Sequence, residues 1–123
     1  QANGVALNQQ SLYTAKDAIT GCWSHENGVT GEATWNFACD RKEDLVEIYG
    51  SEGKITFSIF GEDDIVLDNK KGPQKQFIEH PRHVQQFHVE NLKEHLLGEK
   101  KHPSTGKTAL HTSWIMDSIL GNL

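Results

Sequence analysis

The order of the sequence patterns predicts an α+β fold, with a mostly antiparallel, open sheet of about five or six strands and helices packed on one face. Two observations support this prediction. Up to residue 79, short runs of strand-forming residues are separated by Gly, Asn and Asp, which is typical of hairpin-connected strands. After Pro81 the apolar residues recur at near-helical spacing. Strands and helices that are segregated along the chain favour the α+β class.

The strand signals begin at residue 18, because the first 17 residues are polar and aperiodic and predict an irregular leading segment. Asn27-Gly28 separates two strand-like runs and predicts a hairpin in which both turn residues adopt a positive φ. Gly50 to Gly53 predicts a second tight turn. The expected strands are residues 18–25, 29–38, 44–49, 54–60, 65–67 and, as a sixth, 75–79.

Alternation within residues 29–38 predicts a sheet that is covered on one side only. Thr30, Glu32, Thr34 and Asn36 fall on the polar face, and the apolar residues of the run fall on the other. The exposed face is therefore a candidate surface for self-association into a homodimer or a higher oligomer, and Thr34 is expected to lie on it.

Two helices are expected after Pro81. The first follows apolar residues from Val84 to Leu97, and Gly98 is placed to end it. The second begins near Ser104 to Gly106, whose hydroxyl groups can cap a helix, and Gly121 closes it.

Composition narrows the functional classes. The 123 residues fit one domain over 1–123. A net charge of −5 argues against nucleic-acid binding, which needs basic clusters. No apolar run approaches the roughly 20 residues of a membrane span. Nothing at the start resembles a secretory signal, so we expect a cytoplasmic location, and Gln1 rather than Met at position 1 leaves room for an upstream extension.

Motifs for complete catalysis are absent from the sequence. There is no Gly-x-Ser-x-Gly elbow and no Gly-rich loop between a strand and a helix, so we expect no catalytic residue and no cofactor site within this chain. The seven histidines do not follow zinc-ligand spacing, so no metal site is expected. Cys22 and Cys39 are expected to be reduced thiols.

Several segments together resemble the C-terminal domain of the Gfo/Idh/MocA oxidoreductases, in the dihydrodiol-dehydrogenase-like branch. The central one is Glu47-Ile48-x-Gly50-x-x-Gly53-x-Ile55-x-Phe57. The likeness extends over nearly the whole chain from about Val5, although Lys16 stands where relatives commonly have an acidic residue. The other matching segments are Tyr13 to Asp17, Glu26 to Val29, Trp35 to Phe37, Pro81 to Gln86, Pro103 to Gly106 and Thr112 to Asp117.

This resemblance implies a parent protein with two domains. In the family, an N-terminal Rossmann domain binds NAD or NADP and supplies a lysine from a Glu-Lys-Pro motif. The C-terminal domain closes the substrate site and builds oligomers. The present sequence lacks both motifs and begins after the helix that carries the family's Asp/His pair. The chain is therefore expected to supply part of the substrate pocket and an oligomer interface, to be inactive alone, and to pair with a missing Rossmann domain.

The implied parent reaction is hydride transfer between NAD or NADP and a sugar, polyol or related hydroxyl or carbonyl compound. Trp35 and Phe37, at a strand end, and Tyr13 are the candidate pocket residues, with ordinary sheet packing as the alternative for Trp35 and Phe37. An alternative function is a free-standing, non-catalytic binding or assembly module that uses the exposed sheet face. A metal-dependent enzyme is a third and more remote alternative.

Overall fold

The computed structural model describes all 123 residues and divides into two compact units. Unit 1 comprises Gln1–Asp40 and His102–Leu123, and unit 2 comprises Arg41–Lys101. Each unit contains one antiparallel sheet and one helix, so the predicted α+β class is confirmed. The seven strands form two sheets of three and four strands, where the sequence predicted about five or six in one sheet. The expectation of a single domain stays a prediction.

Unit 1 contains a three-stranded meander in the order β1-β2-β3, and helix α2 packs on β1 and β2. The leading segment predicted to be irregular contains β1, so that expectation was wrong. Residues 2–7 lack clear alternation, and it is their pairing with the full length of β2 that makes them a strand. The bounds are β1 Ala2–Leu7, β2 Ala18–Ser24, β3 Thr30–Asn36 and α2 Gly106–Leu120.

Small residues let α2 approach this sheet closely. A Cβ atom built on Gly21 would lie 2.7 Å from Cδ1 of Ile119, and one on Gly4 would lie 2.6 Å from its Cγ2. Gly4 and Gly21 are paired in register and lie on the same face of the sheet. Ile119 fills the space above them and is only 5% exposed, which makes it the one buried apolar side chain of the chain.

The β2–β3 hairpin differs in detail from the expected two-residue turn. Ser24 pairs with Thr30, so the connection has five residues. Only Gly28, with φ of 85°, has a positive φ, and Asn27 does not. A longer hairpin loop needs only one residue in the left-handed region, which explains why glycine alone supplies it.

Unit 2 contains a four-stranded meander in the order β4-β5-β6-β7. The last strand begins at Gly72, three residues before the predicted sixth strand. Pro73 is tolerated because β7 is an edge strand and needs no donor on its outer side. The bounds are β4 Val46–Gly50, β5 Gly53–Phe57, β6 Ile65–Asn69, β7 Gly72–Gln76 and α1 Gln86–Leu96.

Both helices end where the sequence predicts. Gly98 follows α1 with φ of 76°, and Gly121 follows α2 with φ of 73°, the left-handed conformation that glycine adopts without strain. Helix α2 begins after Thr105, whose backbone N–H donates to Oγ1 of Thr108 at 2.9 Å. Helix α1 packs against no strand, in contrast to the expectation that both helices rest on one face of a sheet.

Candidate functional site

The exposed face of the unit 1 sheet is the candidate functional surface. Thr34 pairs with Thr20, and their hydroxyl oxygens lie 3.4 Å apart. Val5 is paired with Thr20 from the other side, so three strands contribute to one row. These residues alternate with Gly4 and Gly21, whose face is covered by α2. We call the uncovered surface the Thr34 face, and it is the face on which the sequence predicted Thr34.

A shallow groove of about 150 Å³ lies on the Thr34 face. Its lining mixes apolar residues with side chains that can form hydrogen bonds. The volume is small beside the roughly 300–1,000 Å³ of small-molecule sites, so the groove by itself is too small for a complete substrate. The lining includes Val5, Leu7, Gln9, Thr20, Thr34 and Asn36.

The structure separates the three candidate pocket residues. Trp35 borders this groove and is 44% exposed, but it alternates with Thr34 and Asn36 along β3, so its side chain lies on the opposite face of the sheet. Phe37 lies just beyond the end of β3 and is 73% exposed. Tyr13 lies in the loop between β1 and β2 and is half-exposed. The structure therefore does not gather the three candidate side chains in this groove, and the pocket role of all three stays a prediction.

Asp17, which sequence reasoning did not single out, organises the loop that carries Tyr13. Its carboxylate accepts hydrogen bonds from the backbone N–H groups of Gln9, at 2.6 Å, and Gln10, at 3.0 Å. Its own backbone ties the loop to the sheet, because its N–H donates to Leu7 and its carbonyl accepts from Phe37. Asp17 is 1% exposed. A carboxylate seven or eight residues from its donors forms no periodic pattern, so the sequence offers no signal for it.

The two N–H donors also set the ionisation of Asp17. Hydrogen bonds from Gln9 and then Gln10 stabilise the charged carboxylate, and they lower the pKa of Asp17 below its usual value although burial opposes this. Asp17 is therefore ionised at neutral pH. Its role is to hold the loop rather than to transfer protons.

Unit 2 contains a Glu47, Tyr49 and Lys54 cluster on one sheet face. Nζ of Lys54 donates to Glu47 at 2.6 Å, and the Tyr49 hydroxyl donates to the same carboxylate at 2.9 Å. The Lys54 contact lowers the pKa of Glu47, and the Glu47 carboxylate raises the pKa of both Tyr49 and Lys54. Each shift moves the group further from neutrality, so the cluster is suited to stabilising the sheet and poorly suited to acid–base catalysis.

The histidines do not converge on a metal site. The His25 and His111 rings lie 6.3 Å apart, and His111 stacks on Trp114. No group of three or more His, Cys, Asp or Glu side chains is close enough to hold an ion. Cys22 and Cys39 are not joined by a disulfide.

The chain's own residues do not fit a dinucleotide site. Such a site lies at the carboxyl ends of parallel strands connected by helices, whereas every strand pair here is antiparallel.

Neither helix has the length and apolar character needed to cross a bilayer.

The solved structures that share this fold include two oxidoreductases. One, assigned as an oxidoreductase of Thermotoga maritima, superimposes with a TM-score of 0.70 at 13% identity. The other, an oxidoreductase of Agrobacterium radiobacter in complex with NAD+, L-tartaric acid and magnesium, gives a TM-score of 0.76 at 16% identity. The sequence matches no protein-family model and no curated protein.

The two superpositions cover almost all of this chain and a minor part of the others. They span 99% of the present residues, but only 38% and 41% of the two oxidoreductases. At these identities the likeness establishes a shared fold. The chain thus has the fold of about two fifths of each of these larger proteins.

Proposed function

We propose that this chain is the substrate-binding and assembly part of an NAD(P)-dependent oxidoreductase of the Gfo/Idh/MocA type. The parent enzyme transfers a hydride between the nicotinamide and a sugar, polyol or related hydroxyl or carbonyl compound. The observation that carries the proposal is the superposition of 99% of the chain on about two fifths of two oxidoreductases. Each of the two oxidoreductases is longer than the present chain, and the additional length leaves room for a nucleotide-binding domain in a parent protein.

The exposed surface of the chain supports a role inside something larger. The chain exposes 10474 Å². A globular protein of 13.8 kDa exposes roughly 6,600 Å², and two separate globules of half that mass expose roughly 8,000 Å² together. The chain exceeds even the second value, which supports a role as part of a larger protein.

In this proposal the cofactor belongs to the upstream domain. The antiparallel sheets of this chain offer no dinucleotide crevice, and the NAD+ of the Agrobacterium radiobacter complex supports NAD as the parent's cofactor. The present chain supplies a substrate-facing wall, for which Thr20 and Thr34 are the first residues to examine because their side chains line the groove on the Thr34 face.

The gene sequence upstream of the codon for Gln1 tests this proposal first. We expect an in-frame Gly-x-Gly-x-x-Gly motif after a strand, followed by Glu-Lys-Pro. The extended protein and the present chain are then assayed in parallel for oxidation and reduction of NAD(H) and NADP(H), with sugars, polyols and hydroxy acids including L-tartrate. Turnover by the extended protein and none by the 123-residue chain is the expected pair of results.

A start codon or a signal peptide directly before Gln1 would contradict the proposal. The free-standing assembly module would then be favoured, and the uncovered Thr34 face is the observation that supports it. A calorimetric titration of the 123-residue chain with NAD+ serves as a control. Binding there would show that the cofactor site has been assigned to the wrong part of the protein.

A further inference from the structure

One face of the four-stranded sheet in unit 2 carries no charged residue and has no cover within its unit. Ile48, Ile55 and Leu67 lie opposite one another across three strands, and the paired Val46 and Phe57 extend the same face. Ile48 is 53% exposed, Ile55 37% and Leu67 36%. We call this surface the uncharged face. Its other side chains on β6 and β7 include the uncharged polar Asn69, Gln74 and Gln76.

The opposite face of the same sheet explains why the uncharged face is unusual. That side carries the ion pair between Lys54 and Glu47 and is suited to water. Antiparallel sheets with one solvated face normally bury the other. Along the uncharged face runs a groove of about 470 Å³, lined by Ile55, Ile65 and Leu67 and by the polar Gln74, Lys75 and Gln76. An exposed apolar row with polar residues at its border is typical of an interaction site.

Helix α1 of the same unit has an apolar side that no strand of the unit covers. It has 11 residues, no side-chain cap at its N-terminus, no acidic residue in its first turn and no buried residue. It contacts no strand of its unit. Helices shorter than about 12–15 residues are marginal in water, so α1 needs a surface to pack on. Val89, Leu92 and Leu96, at helical spacing, form an apolar stripe for that purpose.

The stripe and the uncharged face match in length and in chemistry. An 11-residue helix is about 16 Å long, and a five-residue strand is also about 16 Å long. The uncharged face has no charged side chain that docking of the stripe would remove from water. Docking therefore carries no free-energy cost for burying charge on this face. Within one chain, however, α1 does not reach the sheet. Nε2 of His80 donates to the carbonyl of Gly61 at 3.2 Å, which ties the segment before α1 to the loop between β5 and β6.

We propose that α1 of one copy of this chain docks on the uncharged face of a second copy, and that the exchange is reciprocal. A single helix-on-sheet contact is small beside the roughly 800 Å² that each partner buries in stable complexes. Reciprocal exchange buries one helix face and one sheet face on every copy and so doubles the area. The proposal goes beyond the enzymatic role and stands or falls independently of any upstream domain.

Directed disulfide formation tests this arrangement. In a Cys22→Ser, Cys39→Ser background, the pair Leu67→Cys and Leu92→Cys joins the uncharged face to the stripe on α1. The matched control is Val66→Cys with Leu92→Cys, because Val66 is the next residue along β6 and lies on the opposite face. We expect oxidation to link two chains through the first pair and not through the second. Mass spectrometry of mixed ¹⁴N- and ¹⁵N-labelled chains identifies the bond as intermolecular.

A disulfide within one chain, or no selective crosslink, would overturn the proposal. A second measurement does not depend on the cysteine variants. In a Thr34→Arg background, which removes any pairing through the Thr34 face, Leu92→Lys should halve the mass measured by light scattering. Glu90→Gln changes the charge by the same amount on the same helix and should leave the mass unchanged. The proposal would also be overturned if the Thr34→Arg chain were already monomeric, or if adding Leu92→Lys left its mass unchanged.

Discussion

At the scale of single residues, Asp17 decides the conformation of the loop between β1 and β2. Its carboxylate accepts hydrogen bonds from the backbone N–H groups of Gln9 and Gln10. The Asn8 side chain holds the following turn, because it accepts from the N–H of Ser11 and donates to the carbonyl of Tyr13. Ser11 adopts a φ of 56°, which is uncommon outside glycine and is held by these bonds. The loop is therefore fixed from inside, although its tip is exposed.

Replacing Asp17 by Asn should loosen this loop. The amide is nearly isosteric, but it is a weaker acceptor than a carboxylate and it places an N–H₂ group where an acceptor is needed. We expect faster amide hydrogen exchange at Gln9 and Gln10, with exchange in β5 unchanged. Asp40→Asn is the matched control, because Asp40 is exposed. Equal exchange in wild type and Asp17→Asn would contradict the role assigned to the carboxylate.

The lowered pKa of Asp17 also predicts how stability depends on pH. A carboxyl whose pKa is lower in the folded state stabilises the fold above its unfolded value of about 3.9, and this stabilisation is lost as pH falls through the folded value. We expect this contribution to stay constant from pH 7 to 5 and to decline below about pH 4. Thermal unfolding of wild type and Asp17→Asn across this range should show the two curves converging in acid. A constant difference between them would argue against the prediction.

At the scale of elements, the close approach of α2 to the unit 1 sheet depends on Gly21. An added Cβ there would lie within 2.9 Å of three side-chain carbons of Ile119, and real Cβ atoms do not come so close. Because Ile119 is buried, it has little room to move away. The distance between helix α2 and the sheet thus depends on the absence of a side chain at Gly21 and on the branched side chain of Ile119.

Gly21→Ala should destabilise the chain by about 1–3 kcal/mol, which is the usual cost of overpacking a core. Ile119→Ala alone should cost about 2–5 kcal/mol because it leaves a cavity. In the double variant, Gly21→Ala should add little further loss, since the clash has been removed. Urea unfolding of the two single variants and the double variant measures this coupling.

Gly106→Ala is the control for that cycle, because no atom lies within 4 Å of an added Cβ at Gly106. It should be neutral, or stabilising by up to about 1 kcal/mol because alanine favours helices. Strictly additive effects of Gly21→Ala and Ile119→Ala would show that the two residues do not meet.

At the scale of the whole molecule, the Thr34 face predicts association between copies. Burying Glu or Arg at position 34 would leave an uncompensated charge in any interface formed by this face. Thr34→Glu and Thr34→Arg should therefore abolish association through this face, with the average mass from light scattering falling by up to about half and any association through α1 retained. Ser51→Arg, in the exposed turn between β4 and β5, is the control that matches Thr34→Arg in charge and size. Equal masses for wild type and both Thr34 variants would exclude this face.

Sequence patterns predicted local features well. The α+β class, five of the seven strands in approximate position, the ends of both helices at Gly98 and Gly121, and the exposure of Thr34 all follow from periodicity and from single residues with special backbone freedom. These signals lie within a few residues of the structure that they specify. The helix caps and the alternation of strand faces are therefore specified by neighbouring residues in the sequence.

The remaining features depend on residues that are distant in sequence. Ala2–Leu7 becomes a strand because β2 pairs with it, and Asp17 becomes a clamp because the chain returns Gln9 and Gln10 to its carboxylate. The tertiary structure alone decides that Ile119 packs over Gly4 and Gly21 and that α1 contacts no strand. No local period encodes such contacts, since each requires two segments to meet after folding. For that reason the sequence by itself determined the class of fold and the exposed face, and the tertiary structure determined which surfaces remain to be covered.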